Sequence, residues 1–156
     1  REGLASFRGV SRRFETRIAG PDVVFIDDYA HHPKELDACI GSVREMYPGK
    51  RITGIFQPHL FTRTRDLASD FGRSLAALDE LILLEIYPAR EEPIPGITSQ
   101  WLLDQVPMDN KVVCTRDALL DLLKDRPIEV LLTVGAGDID RSVPAIERLL
   151  NERYRL

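Results

Sequence analysis

The stretch VVFIDDYAHHPKELDACIGSVREMY, Val23 to Tyr47, decides the fold. Val23 to Ile26 is an apolar, β-branched and aromatic run that reads as a strand. From Pro33 the period changes: Leu36, Cys39, Ile40, Val43 and Met46/Tyr47 fall on one face of a 3.6-residue helix, and Pro48-Gly49 ends it. Between strand and helix, Asp27 to Pro33 holds two acids, a tyrosine and two histidines. None of those side chains suits a buried strand. Pro33 fits the first helical position, where its missing N–H has no intrahelical partner to lose. The cluster therefore belongs on a strand-to-helix loop, the edge at which open α/β sheets bind ligands.

Working outward, Arg12 to Ile18 partly alternates in polarity and Ala19-Gly20-Pro21-Asp22 is a turn cluster, so a β-hairpin precedes the helix. Ile52 to Phe56 reads as a buried strand. Thr62 to Leu78 reads as a helix with Leu67, Phe71, Leu75 and Leu78 inward. A strand at Leu81 to Ile86 leads into a proline-rich loop, Tyr87 to Gly96, and a short helix over Ser99 to Gln105. A strand at Lys111 to Cys114, a helix at Asp117 to Lys124, a strand at Glu129 to Val134 and a helix at Arg141 to Asn151 complete the pattern. This alternation predicts an α/β fold, a mostly parallel sheet with helices on both faces and an N-terminal β-hairpin. In such a sheet the loops at Asp27–His32, Gln57–Phe61, Tyr87–Gly96 and Gly135–Asp140 converge on one edge.

The chain has 156 residues, the size of one domain. It starts Arg-Glu-Gly, on a helix-like piece with Leu4, Ala5 and Phe7, which reads as a segment of a longer protein. A hydrophobic content of 44% and a charged content of 29% are those of a globular domain. A net charge of -4 argues against general nucleic-acid or anionic-membrane binding. No apolar run is long enough to span a bilayer, and no signal-peptide pattern occurs. Cys39 and Cys114 lie in apolar segments without metal-ligand spacing, as buried free thiols of a reducing cytoplasm do. No P-loop, serine or cysteine nucleophile arrangement or zinc pattern occurs.

Four motifs carry chemistry. Asp27 and Asp28 adjoin at a strand end and point to opposite sides. Acids there accept from ribose hydroxyls, hold a cation, or cap the helix. Tyr29, His31 and His32 beside them favour a site. In FQPHLFTRTRDL, Phe56 to Leu67, Thr62 or Thr64 as N-cap puts Arg63 and Arg65 in the first helical turn, against the macrodipole. That placement predicts an anion site shared with free backbone N–H groups, unless both arginines pair with Asp66 and Asp70. His59 neighbours the same spot. VGAGDID, Val134 to Asp140, lacks the third glycine of a dinucleotide fingerprint, so close backbone packing is its modest reading. SRRFE places Arg12 and Arg13 on the first hairpin strand, where arginines are usually solvated.

Taken together, RRFE, DDYAHHP, FQPHLFTRTRDL, EIYPAREEPIPG and VGAGDI resemble the C-terminal domain of the Mur ligases, in order and over essentially the whole chain. The resemblance implies a three-layer Rossmann-like domain of an ATP-dependent amide ligase of peptidoglycan synthesis, cytoplasmic in a bacterium. It points to the branch that joins L-alanine to UDP-N-acetylmuramate. There ATP phosphorylates the sugar's carboxylate, and the amino group of alanine attacks the acyl phosphate to release ADP and phosphate. In the family an N-terminal domain binds the UDP-sugar, and a central domain carries the P-loop, the Mg²⁺ ligands and a carbamylated lysine. Residues 1–156 would be the third domain alone, closing over the site and making no ligase product unaided.

Carried over by position, Arg13 would contact the nucleotide phosphates or ribose and Asp28 the ribose. Tyr29, His31 and Arg63 would form the L-alanine pocket, with Arg63 pairing its carboxylate. Some relatives have a basic residue where this chain has Leu60, so a second carboxylate contact is missing or comes from His59. ATP and Mg²⁺ would be held mainly by the central domain, leaving this chain no metal ligand and no assigned catalytic residue. The alternatives are the domain of a murein-tripeptide recycling ligase, or an amino-acid- or nucleotide-binding module without catalysis.

Overall fold

A turn cluster between two short extended runs makes the hairpin. β1 (Glu15–Ala19) pairs antiparallel with β2 (Val24–Asp28), Glu15 lying opposite Asp27 and Ala19 opposite Val24. The computed structural model describes residues 11–156, so the piece expected around Leu4, Ala5 and Phe7 lies outside the described residues. β1 begins at Glu15, so Arg12 and Arg13 occupy the bend before it and not the strand itself. The cause is local: Arg12 (φ 58) and Phe14 (φ 49) are left-handed, which interrupts an extended run. Asp27 and Asp28 are the last two residues of β2, so the strand runs two residues past Ile26 into the stretch expected as loop.

α1 (Pro33–Met46) starts on its proline and buries Leu36, Cys39, Ile40 and Val43, the spacing read from sequence. Gly49 (φ 77) turns the chain beyond it into β3 (Ile52–Phe56). The single helix expected over Thr62 to Leu78 is two: α2 (Phe61–Asp66) and α3 (Ala68–Leu75), separated at Leu67 (φ -111, ψ 15). Neither Thr62 nor Thr64 caps α2; its N-cap is Leu60, at φ 72. There follow β4 (Glu80–Leu84), α4 (Ser99–Leu103), β5 (Lys111–Cys114), α5 (Leu119–Leu123) and β6 (Val130–Val134). The helix expected from Arg141 opens as a 3₁₀ turn, Asp138–Ser142, and continues as α6 (Val143–Tyr154).

The sheet has six strands in the order β1-β2-β6-β3-β4-β5, and every pairing except the hairpin is parallel. Alternate side chains of the strands feed two cores. Val24, Ile26, Ile52, Phe56, Leu81 and Leu83 pack with α1, α3 and α4. Phe25, Ile55, Ile82, Leu84 and Leu131 pack with Leu119 and Leu123 of α5 and with Ile146 and Leu150 of α6. A sheet covered on both faces explains why β3, β4 and β6 are buried from end to end. The two cysteines are free and buried, and burial pushes the Cys39 thiol up to about 12. No helix among the described residues is long and apolar enough to cross a membrane.

This topology fixes where a ligand can enter. β6 lies between β2 and β3. The helix after β6 packs on one face, and those after β2 and β3 pack on the other. Loops that part to opposite faces open a crevice at the carboxyl ends of their strands.

Candidate functional site

Alternation along β2 aims its two terminal acids in opposite directions. Asp27, 2% exposed, accepts from Thr133 Oγ1 at 2.7 Å and from Arg12 Nε at 3.0 Å. Burial pushes its carboxyl above the ordinary range, against those two bonds. Arg12 also donates from Nη2 to the Gly135 carbonyl at 2.7 Å and lies 5.4 Å from the centre of the Tyr29 ring. It ties the hairpin, β2 and the β6 loop together. Asp28 accepts from the backbone N–H of Phe14 (2.6 Å) and of Ala30 (2.7 Å), which shapes the start of the loop.

The acids do not cap α1. His32 is the N-cap, its Nδ1 accepting from Lys34 N at 3.4 Å. Glu35 accepts from the N–H groups of His31 (2.9 Å) and His32 (3.0 Å), completing a capping box. Burial pushes the Glu35 carboxyl up, but those N–H groups and the two imidazoles outweigh it and hold the carboxyl below its usual value. His31 is placed differently. Its Nδ1 lies 2.9 Å from the Tyr29 carbonyl, which can only accept, so Nδ1 carries the proton and Nε2 is left for another partner.

The β3–α2 loop supplies the facing wall. His59 forms a parallel bridge with Tyr87, held by Tyr87 N to Pro58 O (2.8 Å) and Leu60 N to Tyr87 O (2.9 Å). The two rings are stacked, 5.7 Å apart at 17°. His31 meets His59 edge-on at 6.0 Å, and Tyr29 meets His31 edge-on at 5.2 Å. Arg63 Nη1 donates to His59 Nδ1 at 3.2 Å. Burial, then Arg63 and His31, pull His59 below the ordinary imidazole value, and Glu91 opposes them. A neutral ring is the form able to accept from Arg63.

Arg65 pairs with Asp66 at 2.7 Å, and Asp70 pairs with Arg73. Arg63 has no carboxylate partner among the described residues. The first turn of α2 is less open than expected: Glu91 of the proline-rich loop accepts from Thr62 N at 3.0 Å and from its hydroxyl. The anion reading therefore loses that backbone N–H and keeps the Arg63 guanidinium.

Beside this cluster, Arg13, Phe14, Asp28, Tyr29, Ala30 and Glu35 line a 280 Å³ cavity. Of the residues singled out from sequence, Tyr29, His31, His59 and Arg63 thus fall in one group. Arg13 and Asp28 fall in the adjoining one, with Tyr29 in both. The G-x-G segment packs as its modest reading predicts: a Cβ on Gly137 would lie 2.7 Å from Tyr87 Cβ and collide with Gln57 Oε1.

Residues 12–137 match the family described as Mur ligase, glutamate ligase domain. The chain belongs to this family. It is 53% identical over 155 residues to the UDP-N-acetylmuramate–L-alanine ligase of Parabacteroides distasonis, covering 99% of this chain and 34% of the relative. It is 56% identical over 151 residues to the ligase of the same name from Porphyromonas gingivalis, covering 96% and 33%. The solved UDP-N-acetylmuramate-alanine ligase MurC of Thermotoga maritima superposes with a TM-score of 0.72 at 29% identity, over 99% of this chain and 32% of that one. A murein peptide ligase of Psychrobacter arcticus shares the fold, with a TM-score of 0.71 at 15% identity over 96% and 32%. The chain spans about a third of the length of the curated relatives it matches.

Reading motifs alone missed several residues that build the candidate site of this Mur ligase domain. Arg12, not Arg13, is the arginine that ties the loops together. Gln57 links the β3 loop to the β6 loop, donating to Asp138 at 2.8 Å and accepting from Ile139 N at 2.9 Å. Tyr87 and Glu91 reach the cluster from the proline-rich loop, whose place on the shared edge was the one signal available. No grouping of three or more potential metal ligands occurs among the described residues.

Proposed function

We propose that this chain is the amino-acid-binding, closing domain of an ATP-dependent ligase that joins L-alanine to UDP-N-acetylmuramate. The observation that carries the reading is Arg63, a guanidinium bonded to the neutral His59 ring and without a carboxylate partner among the described residues; His59 in turn meets the His31 ring, and His31 the Tyr29 ring. A guanidinium fork matches a carboxylate in charge and shape. In this reading Arg63 takes the alanine carboxylate, and His59, His31 and Tyr29 wall the pocket. The amino group is then presented to an acyl phosphate held elsewhere in the protein. Orienting the nucleophile is this domain's contribution, in place of solution encounter.

Arg13 and Asp28, lining the cavity beside Tyr29, would meet the ribose and phosphates of ATP. Both Asp28 oxygens already hold a backbone N–H, and each keeps a lone pair for a hydroxyl. In this reading Mg²⁺ is held mainly by the ATP phosphates and the central domain of the full-length ligase.

Arg63→Ala in the full-length ligase tests the reading. Loss of a charge-assisted pair raises the KM for alanine by about 2–3 kcal/mol, roughly 30- to 150-fold. An unchanged alanine KM and kcat removes Arg63 from the pocket. The recycling alternative makes a different demand, because a peptide that begins with alanine has its alanine carboxylate locked in an amide. Such a peptide competing with free L-alanine at equal concentration would favour that alternative.

A further inference from the structure

We infer that Tyr87 is a positioning residue for Arg63, acting through His59. The inference rests on the reading that Arg63 takes the alanine carboxylate. An arginine on a surface helix has a long, rotamer-rich stem, and ordering it opposes binding. Here its guanidinium is ordered in advance, because Nη1 is committed to His59 Nδ1 at 3.2 Å, and among the described residues the rest of the fork has no partner.

That arrangement needs a fixed imidazole, and Tyr87 fixes it. The His59 ring is stacked with the Tyr87 ring at 5.7 Å and 17°, and the His31 ring meets it edge-on at 6.0 Å. Two backbone bonds between residues 58–60 and Tyr87 lock the stack in register. The Gly137 backbone packs against the base of the Tyr87 side chain, close enough that a Cβ there would lie 2.7 Å from Tyr87 Cβ and 2.8 Å from its Cγ. A segment with no polar side chain of its own in the pocket, the VGAG turn of the β6 loop, thereby sets the direction of the arginine.

Alanine KM and kcat of the full-length ligase with Tyr87→Ala, Tyr87→Phe, Arg63→Ala and the Tyr87→Ala/Arg63→Ala double variant test this. Tyr87→Ala raises the alanine KM roughly tenfold, as loss of pre-organisation does, and leaves the ATP KM unchanged. Tyr87→Phe restores it, since the stack uses the ring and not the hydroxyl. In the Arg63→Ala background Tyr87→Ala adds less than about twofold, because a positioning residue has nothing left to position.

A pH profile separates this role from a loosened fold. The groups facing His59 are Arg63 from α2, His31 from the β2–α1 loop, and Glu91 and Tyr87 from the proline-rich loop. Baring His59 lessens the burial that holds its titration low, so Tyr87→Ala moves the acid rise in alanine KM to higher pH. Full additivity of the two substitutions, or an unmoved acid limb, overturns the inference. A raised KM for Arg63→Ala beside an unchanged KM for Tyr87→Ala overturns it alone. An unchanged KM for Arg63→Ala overturns the pocket reading and this inference together. Should Tyr87→Ala not fold, Tyr87→Leu keeps the bulk without the flat ring and is read by the same criteria.

Discussion

Arg12 and Asp27 form the pair on which the edge of the sheet is pinned, with the acid 2% exposed and the guanidinium 16% exposed. Arg12→Ala strands a buried carboxylate, which destabilises the domain at neutral pH by about 3 kcal/mol, the low end for a partly wet partner. The pH dependence has a definite sign. Asp27 already has its folded value raised, by burial first, so its contribution to stability is full below the unfolded carboxyl value and is lost as pH rises through the folded one. Without Arg12 the folded value rises further. The gap in urea stability between native and variant is therefore expected to narrow as the pH is lowered toward the carboxylate range. A gap that is constant or widens in acid would show that Asp27 is not the stranded group. Which of two adjacent arginines does this work is not written in RRFE. Both carry the same side chain, and the left-handed turn at Arg12 decides which one reaches inward.

At the scale of elements, the entry to α2 is set by backbone conformation. Leu60 holds φ 72 with its N–H on Tyr87 and its carbonyl accepting from both Thr64 N and Thr64 Oγ1 (2.8 Å). A β-branched side chain tolerates that conformation worse than leucine does. Leu60→Ile, nearly isosteric, is expected to cost about 1–2 kcal/mol in a urea titration, and no change in midpoint would mean that residues 59–61 relax freely. This conformation also explains an error of reading. Threonine is the better cap by composition, so Thr62 or Thr64 looks like the start, yet both lie inside α2. Glu91, 29 residues further on, bonds the first turn instead, a contact that local sequence cannot signal. By contrast α1 was legible almost to the residue, because Pro33, the apolar spacing and Pro48-Gly49 are all local signals. β3 was legible for the same reason.

For the whole molecule, strand-helix alternation was enough to give the parallel sheet and its convergent loops, whereas strand order depends on contacts between distant segments. The grouping of Tyr29, His31, His59 and Arg63 follows from that order, because it brings the β2 and β3 loops to one edge. Residues 1–156 alone are expected to fold cooperatively but to release no phosphate from ATP with UDP-N-acetylmuramate, L-alanine and Mg²⁺. Turnover above background would overturn the division of labour proposed for this domain.

The place of β6 has a consequence for biogenesis. β2 and β3 do not pair with each other. Each pairs with β6 over five residues, from Val130 to Val134. During vectorial synthesis the hairpin half and the β3–β5 half both emerge before the strand that joins them. Until it arrives, the nascent chain carries two unpaired parallel edges of Val, Ile and Phe, which other chains can template upon. The last of the six strands in chain order is thus the keystone. A premature stop before Val130 would leave two half-sheets with no partner, rather than a shortened domain.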